Sequence, residues 1–381
     1  MKTLVFAGAG LSTLSLLMRL LQNGVAEKAR IQVYERSDKN QNDRTWCFWE
    51  KGQGFFDALV AARWNQLDFF SNGYAGSLDM GGYAYKMIRG IDFYRHCLSA
   101  LKTHPKIDWH QAEIETITAQ KGAVELQLAG GDIHRYEDAV GFNSIPRAAG
   151  RQPGDIILLQ HFKGWRIKTK KGAFNSARAT LMDFRISQEP GTSFVYVLPF
   201  SDNEALVEYT LFTGELLKPE AYETMLYEYC DRFLGLGNFE IVEEEFGIIP
   251  MTNLVYPPLV DGILQLGTAG GRTKASSGYT FQFVQKQSDH LAAQLAQGKA
   301  QVHAEPEKWR FRFYDHTLLQ VIHDRLMPGD AVFSRLFEKN PAHRVFRFLD
   351  NETRLGEELK ILTSLPSIPF IKAAIRKRRT Y

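Results

Sequence analysis

A short apolar run, Leu4–Ala7, ends in Gly8-Ala9-Gly10 and passes into apolar residues at helical spacing: Leu11, Leu14, Leu17, Met18 and Leu21. Asn23-Gly24 stops that helix. A second apolar strand, Arg30–Glu35, closes on an acid. Strand, glycine turn, helix and strand in so short a stretch is the βαβ unit of a dinucleotide-binding fold. A pyrophosphate must approach backbone N–H groups at a helix N-terminus, and a side chain at Cβ would block it. Gly8 and Gly10 meet that need. The third position of the glycine pattern is Thr13, which weakens the match, because a glycine there lets helix and strand pack closely. Glu35 lies 25 residues past Gly10, near the spacing of about 20 at which a carboxylate binds ribose hydroxyls. A plain glycine turn with a surface acid is the competing reading. The strand–helix–strand context favours the dinucleotide, and it does not separate FAD from NAD.

A second glycine-rich segment, Gly267–Gly278, follows the apolar strand Ile263–Leu266 and opens a helical pattern, Phe281–Leu295. It contains Gly267, Gly270, Gly271 and Gly278. Such a loop can present N–H donors to a flavin ring or ribityl chain at the positive end of a helix. Two such turns far apart in the chain favour one FAD over a discontinuous domain. Between them lie short alternating strands, including Thr180–Phe184, Phe194–Pro199 and Ala205–Phe212, and helices expected over Phe93–Leu101, capped by Asp92, and Pro219–Leu234. From Pro306 the pattern is helical, basic and aromatic.

With 381 residues, 44% hydrophobic and 23% charged, the chain can bury a sizeable core, which excludes disorder and fibrous classes as the main state. A net charge of +3 gives no case for nucleic acid. The charge is uneven: no acid follows Glu358, while Lys360, Lys372, Arg376, Lys377, Arg378 and Arg379 form a basic tail. No run approaches the ~18 apolar residues of a membrane span. Met1-Lys2 leads straight into a strand, so no signal peptide is expected. Cys47, Cys97 and Cys230 are odd in number and scattered, as in a reducing, cytoplasmic compartment. The histidines fall in no metal-ligand spacing, so no metal is expected. His161 reads as a satisfied surface histidine, and Asp350–Glu352 as a helix cap.

On the strand around residue 208, Leu206, Glu208, Thr210 and Phe212 share one face and Ala205, Val207, Tyr209 and Leu211 the other. Both faces are mostly apolar, which points to a strand buried on both sides. A carboxyl at Glu208 would then be desolvated and would keep its proton. An edge-strand carboxylate in solvent is the alternative.

Several segments resemble the bacterial lycopene cyclases in order along nearly the whole chain. They are Asp43-Arg-Thr-Trp-Cys-Phe-Trp49, Gly164-Trp165-Arg166, Leu206-Val-Glu-Tyr-Thr210, Gly247-Ile-Ile-Pro-Met-Thr252, Gly267–Tyr279 and Leu362-Thr-Ser-Leu-Pro366. The resemblance implies an α/β (α+β) chain with a Rossmann-like βαβ unit and the FAD-binding fold of flavoprotein hydroxylases. It implies β-ring closure on the linear ends of lycopene without net redox change, using reduced FAD and NAD(P)H as electron donor. Glu208 is the expected acid, since lycopene has no heteroatom and a carbon–carbon double bond must be protonated. Gly8, Gly10, Glu35, Arg44 and the Gly267–Gly278 loop are expected to hold FAD. Trp165, Tyr196, Phe200, Thr210 and Tyr279 are expected to line the substrate pocket, where aromatic faces stabilise a cation by ~0.5–2 kcal/mol each. Thr268 and Phe142-Asn143-Ser144 stand where the hydroxylases carry Gly-Asp and Asp-Gly elements, which suggests a flavin not set up for oxygen chemistry.

The expected domains are residues 1–70, 91–150 and 246–300 for FAD, 71–90 and 151–245 for an antiparallel substrate sheet, and 301–381 for a helical C-terminus. The apolar segment Leu365–Ile375 beside Arg376–Arg379 suits peripheral binding to the inner face of a membrane, where the carotene resides. A redox flavoenzyme acting on an isoprenoid and a non-catalytic polyene binder are the competing functions.

Overall fold

The computed structural model describes residues 2–146, 150, 153–299 and 301–377. Its first layer is a six-stranded sheet in the order Leu259–Val260, Ile263–Gln265, Ala139–Asn143, Thr3–Ala7, Arg30–Glu35, Ile107–Gln111. Apart from the Leu259–Val260 pairing, its strands run parallel. Alternation along Thr3–Ala7 sends Leu4 and Phe6 to one face and Val5 and Ala7 to the other, and all four are buried. The first face is covered by the helices Leu11–Gln22, Gly90–Leu101 and Phe281–Ala296, and the second by a three-stranded antiparallel sheet that contributes Ile117, Val124 and Leu126. A parallel sheet buried on both faces needs such near-continuous apolar strands. The second of these helices begins at Gly90, with Arg89 as its N-cap. Asp92 therefore sits in the first turn rather than at the cap, where its charge still favours the helix dipole.

The second layer is a seven-stranded sheet in the order Glu240–Thr252, Ile157–Lys168, Glu204–Thr213, Thr192–Ser201, Arg178–Asp183, Gln66–Phe70, Ala75–Ser77. The expected boundary at 245/246 falls inside the continuous strand Glu240–Thr252, which pairs along its whole length with Ile157–Lys168. The boundary at 70/71 also moves, because Gln66–Phe70 pairs with Arg178–Asp183 in this sheet. One face of the sheet packs on helix Pro219–Arg232 through Val207, Tyr209, Tyr222 and Tyr229. The opposite face meets a small sheet, Thr45–Lys51, Tyr83–Arg89 and Ala62–Trp64, and the C-terminal helices through Phe333, Phe337 and Phe346. This second interface holds the candidate site. Among the described residues no helix is long and apolar enough to cross a membrane.

Candidate active site

Strand pairing sets Glu245, Gly164, Glu208 and Tyr196 side by side across the seven-stranded sheet, all on the face toward the small sheet. The two glutamates lie on strands separated by the Gly164 strand, roughly 10 Å apart at the backbone. Their side chains close that gap only because the residue between them has none. A Cβ on Gly164 would meet Glu245 Cγ at 2.9 Å and Glu245 Oε1 at 3.1 Å. The carboxyls of Glu208 and Glu245 share a hydrogen bond. Thr210 Oγ1 donates to Glu208 Oε1 at 2.8 Å, and Thr45 Oγ1 donates to Glu245 Oε2 at 2.8 Å. Glu245 Oε1 is buried and receives no N–H or hydroxyl donor, so the proton that satisfies it is the one shared with Glu208.

Burial pushes the Glu208 carboxyl well above the usual carboxylate range, the neighbouring Glu245 charge pushes it further, and Thr210 opposes both. Glu245 is also raised by burial, but the contacts from Glu208 and Thr45 lower it. The pair therefore carries one proton, resident on Glu208.

Around it stand Cys47, Tyr85, Tyr196 and Tyr279. Burial raises all four, and Tyr279 is pushed up to about 12. Each keeps its proton. Tyr279 touches Tyr196 hydroxyl to hydroxyl at 3.5 Å and packs on Trp49 at 4.3 Å between ring centroids. The wall above the acid is thus aromatic and neutral.

The glycine-rich loop links this site to the first helix. Gly267 lies against the start of that helix, where an added Cβ would come 2.7 Å from Ser12 Oγ. Eleven residues later, Gly278 has φ +71° and presses on Gln160, and Tyr279 enters the acid site. Lys274 and Asp315, both buried and 2.8 Å apart, staple the loop to helix Trp309–His323, and Ser276 also donates to Asp315. Gly270 packs on the Gln265 carbonyl and Gly271 on Tyr256.

At the other end of the loop, Gly8 has φ +84° and Gly10 is the N-cap, with open space where its Cβ would be. The first turn carries no acid and no side-chain cap, and Thr13 Oγ1 is buried without a partner. A helix start of that kind accepts an anion. Glu35 reaches it: Oε2 accepts Ala9 N–H at 2.7 Å, and Oε1 accepts the Ser37 N–H and hydroxyl. Burial alone would raise this carboxyl, but those N–H groups and Lys39 outweigh it and hold it below its ordinary value. Arg44 is exposed, and its backbone oxygen accepts the Gly90 N–H. Its charge acts on the Tyr94 phenol, as does that of Glu35.

Of the expected pocket residues, Tyr196, Thr210 and Tyr279 gather at Glu208. Phe200 shares that face but lies farther along, 5.5 Å from the Arg166 guanidinium. Trp165 does not join them. It follows Gly164, so strand alternation turns it to the opposite face, where it packs on Tyr227 and Phe239. His161 is buried rather than on the surface. It bonds Tyr222 and Thr213, and burial pushes its pKa down to about 4. Among the described residues no cluster of His, Cys, Asp and Glu is placed to hold a metal.

Sequence reasoning missed Glu245, Thr45, Cys47 and Tyr85. Glu243-Glu244-Glu245 reads as a solvated charge run. The available signal was alternation, which puts Glu245 and Gly247 on one face just before the Gly-Ile-Ile-Pro-Met-Thr motif. Asp350 was expected as a cap and is the C-cap of helix Ala342–Leu349. It also accepts the Trp49 indole N–H at 2.7 Å. Burial pushes Asp350 up to about 7, against Lys286 and the indole. A carboxyl raised on folding contributes stability below its unfolded pKa, and that stability is lost as pH rises through about 7. Asp350→Asn should therefore flatten the fall of Tm between about pH 4 and pH 7. Parallel melting curves for parent and variant across that window would refute this.

The chain matches the family model described as lycopene cyclase protein over residues 3–375. A lycopene beta-cyclase from Pantoea ananas is 23% identical across 97% of this chain and 96% of that protein. One from Pseudescherichia vulneris is 21% identical across 98% and 96%. A third, from a Paracoccus species, is 26% identical, and its match spans 60% of this chain and 62% of that protein. Solved structures of the same fold include a geranylgeranyl bacteriochlorophyll reductase-like protein from Thermoplasma acidophilum, with a TM-score of 0.65 and 10% identity over 100% of this chain and 99% of that one. They also include Klebsiella pneumoniae HpxO complexed with FAD and uric acid, with a TM-score of 0.55 and 12% identity over 96% and 98%. The fold is thus that of the flavoprotein hydroxylases, and the chain, matched by the family model over nearly all its length, belongs to the lycopene cyclase protein family.

Proposed function

We propose that this protein is an FAD-dependent lycopene β-cyclase that closes linear carotene ends to β-rings by proton transfer. The observation that carries this reading is the half-buried Glu208, whose carboxyl meets that of Glu245 beneath neutral aromatic residues, at the far end of a loop that starts beside a dinucleotide-type helix N-terminus. A carbon–carbon double bond is a weak base, so its protonation needs an acid that holds its proton in a dry site and no nucleophile to trap the cation.

The Gly8–Gly10 turn and the open N–H groups of the first helix would hold the FAD pyrophosphate, and Glu35 with Arg44 would flank the adenosine half. Gly267–Gly278 would border the ring. When bound and reduced by NAD(P)H, the flavin supplies an electron-rich surface that stabilises positive charge nearby. The protein's own residues do the rest: Glu208 holds the proton, Thr210 orients its carboxyl, and Tyr196, Tyr279 and Trp49 exclude water.

The test is reconstitution of purified protein with FAD, NAD(P)H and lycopene in liposomes, under anaerobic conditions. Ringed product of unchanged mass, with nicotinamide consumed far below one per turnover, is expected. Product differing by two hydrogens or by oxygen, with stoichiometric nicotinamide use, would instead make the protein a redox flavoenzyme. Protein that shows no flavin absorbance and gains none on adding FAD would remove the cofactor assignment.

A carotene substrate resides in the bilayer, and the C-terminal helices suit docking there. Ile368, Ile371 and Ile375 on helix Ser367–Lys377 are 52–68% exposed, and Leu355 and Leu359 on the preceding helix 61–69%. Lys372 and Arg376 are exposed on the same final helix. The Lys377 side chain, Arg378 and Arg379 lie outside the described residues. Ala373 on the inner side is fully buried, so removing the helix would also uncover core. The milder change, Ile368, Ile371 and Ile375 together to Ser, should cut liposome co-sedimentation by roughly tenfold or more while flavin content is kept. Unchanged co-sedimentation would count against membrane docking through this face.

A further inference from the structure

We propose that Glu245 is the base of the reaction: it takes the proton that leaves the newly closed ring and returns it to Glu208 across the contact they share above Gly164. This rests on the cyclase reading and extends it, since cyclisation needs a proton acceptor as much as a donor.

The steps balance without an oxidant. The Glu208 O–H bond breaks, and its proton bonds to the inner CH carbon of the terminal double bond, leaving a tertiary cation on the outer, dimethyl-bearing carbon. The next double bond along the chain gives its π pair to form the ring C–C bond, and the positive charge moves onto a ring carbon. An adjacent C–H bond then breaks. Its electron pair forms the ring double bond, and its proton goes to a Glu245 carboxylate oxygen. Transfer of a proton from Glu245 to Glu208 restores the starting pair.

Three observations select Glu245. First, among the described residues it is the one group in contact with the acid that is itself a carboxylate, and the register of three adjacent strands fixes that meeting. Second, its Oε1 has no donor other than the shared proton, so once Glu208 has given that proton up, an unsatisfied buried carboxylate oxygen remains beside the cation. Third, the other groups facing the pair do not serve. They are Thr45 and Cys47 on one strand of the small sheet, Tyr85 on another, Tyr196 and Thr210 from the large sheet, and Tyr279 from the loop. The phenols and the thiol hold their protons, and the hydroxyls are donating. Glu243, on the Glu245 strand, is occupied by Arg166 at 3.4 Å. Thr45 Oγ1 holds Glu245 Oε2, which leaves Oε1 as the accepting atom.

The pair must hold one proton to work: with none there is no acid, and with two there is no base. The parent should therefore give a bell-shaped dependence of rate on pH. Glu245→Gln keeps the volume and cannot accept the proton. It should keep its FAD absorbance, lose β-ring formation by about 10²-fold or more, and lose the acid limb of the profile. Its alkaline limb should move to lower pH, because the charge that held the Glu208 proton is gone. Residual product should carry ring double bonds shifted out of conjugation, read as shorter-wavelength absorption at unchanged mass. Glu208→Gln, run beside it, should be inactive.

Parental rate, profile and ring isomer in a flavin-loaded Glu245→Gln, with Glu208→Gln inactive, would overturn the assignment and leave the cyclase reading standing. A parent that makes no rings overturns both. If Glu245→Gln fails to hold FAD, the parent profile decides alone: a single alkaline limb with no acid limb overturns the proposal.

Discussion

Glu208→Gln should fold, bind FAD and lose cyclisation by at least about 10²–10⁴-fold, the range typical of a general acid, which is about 3–5 kcal/mol in the barrier. Gln keeps the side chain's volume and can still accept from Thr210, but it has no acidic proton to give. The site magnifies the loss. Tyr196 and Thr210 are buried, and the surrounding phenols and thiol are held above their ordinary pKa values, so neither water nor a neighbour substitutes easily. Glu208→Asp should be partly active at best, because the acid retreats by one methylene from Glu245 and the substrate. Tyr209→Phe is the control. Tyr209 points to the helix side of the sheet with Tyr222, and its hydroxyl takes no part in the pair. Pigment extracted from a lycopene-accumulating host measures all three. A Gln variant that keeps its flavin and makes ringed product at near the parental rate would remove Glu208 from the mechanism.

Gly164→Ala should also be costly, though less so, with no change in any ionisable residue. The added methyl would sit 2.9 Å from Glu245 Cγ and 3.1 Å from a Leu206 methyl. Contacts that short force a neighbour to move, and the flexible partner is the Glu245 side chain, so the strain resolves by parting the two carboxyls. A displacement of about 1 Å in a catalytic group can cost ~10²-fold. The expected result is a loss of about 10- to 10²-fold in rate with FAD binding intact. Gly164→Val, which is bulkier, should exceed it. Flavin titration with single-turnover product analysis separates the two effects. A Gly164→Ala enzyme as fast as its parent would mean that the carboxyls do not need their contact.

What was legible in the sequence was whatever follows from neighbours along the chain. The strand–Gly8-Ala9-Gly10–helix–strand unit, the second glycine loop and the face alternation that put Glu208 with Thr210 are local patterns of period 2 or 3.6. Local geometry forces them whatever the rest of the chain does. The desolvation of the Glu208 carboxyl was legible too, because a strand apolar on both faces has to be covered twice, although Glu208 as a whole is only half-buried. Period 2 would also have turned Trp165 away from the site, as the residue next to Gly164, had its strand been paired with that of Glu208.

The tertiary structure decided which strands lie beside which, and with that the chemistry. Glu245 stands in a run of three acids that looks solvated along the chain. It becomes half of a desolvated carboxyl pair because Glu240–Thr252 and Glu204–Thr213 flank the same strand, with a glycine at the shared row. Strand order depends on contacts between residues dozens to more than a hundred positions apart, and no local period encodes them. The same holds for Lys274 with Asp315, and for Trp49 with Asp350, which tie the C-terminal helices to the site. The sequence by itself determined that this chain has an acid on a strand apolar on both faces and a glycine turn that opens its first helix. Only long-range pairing, with a missing side chain at Gly164, brought a second carboxyl to that acid, because two like charges meet in a protein interior only where they can share one proton.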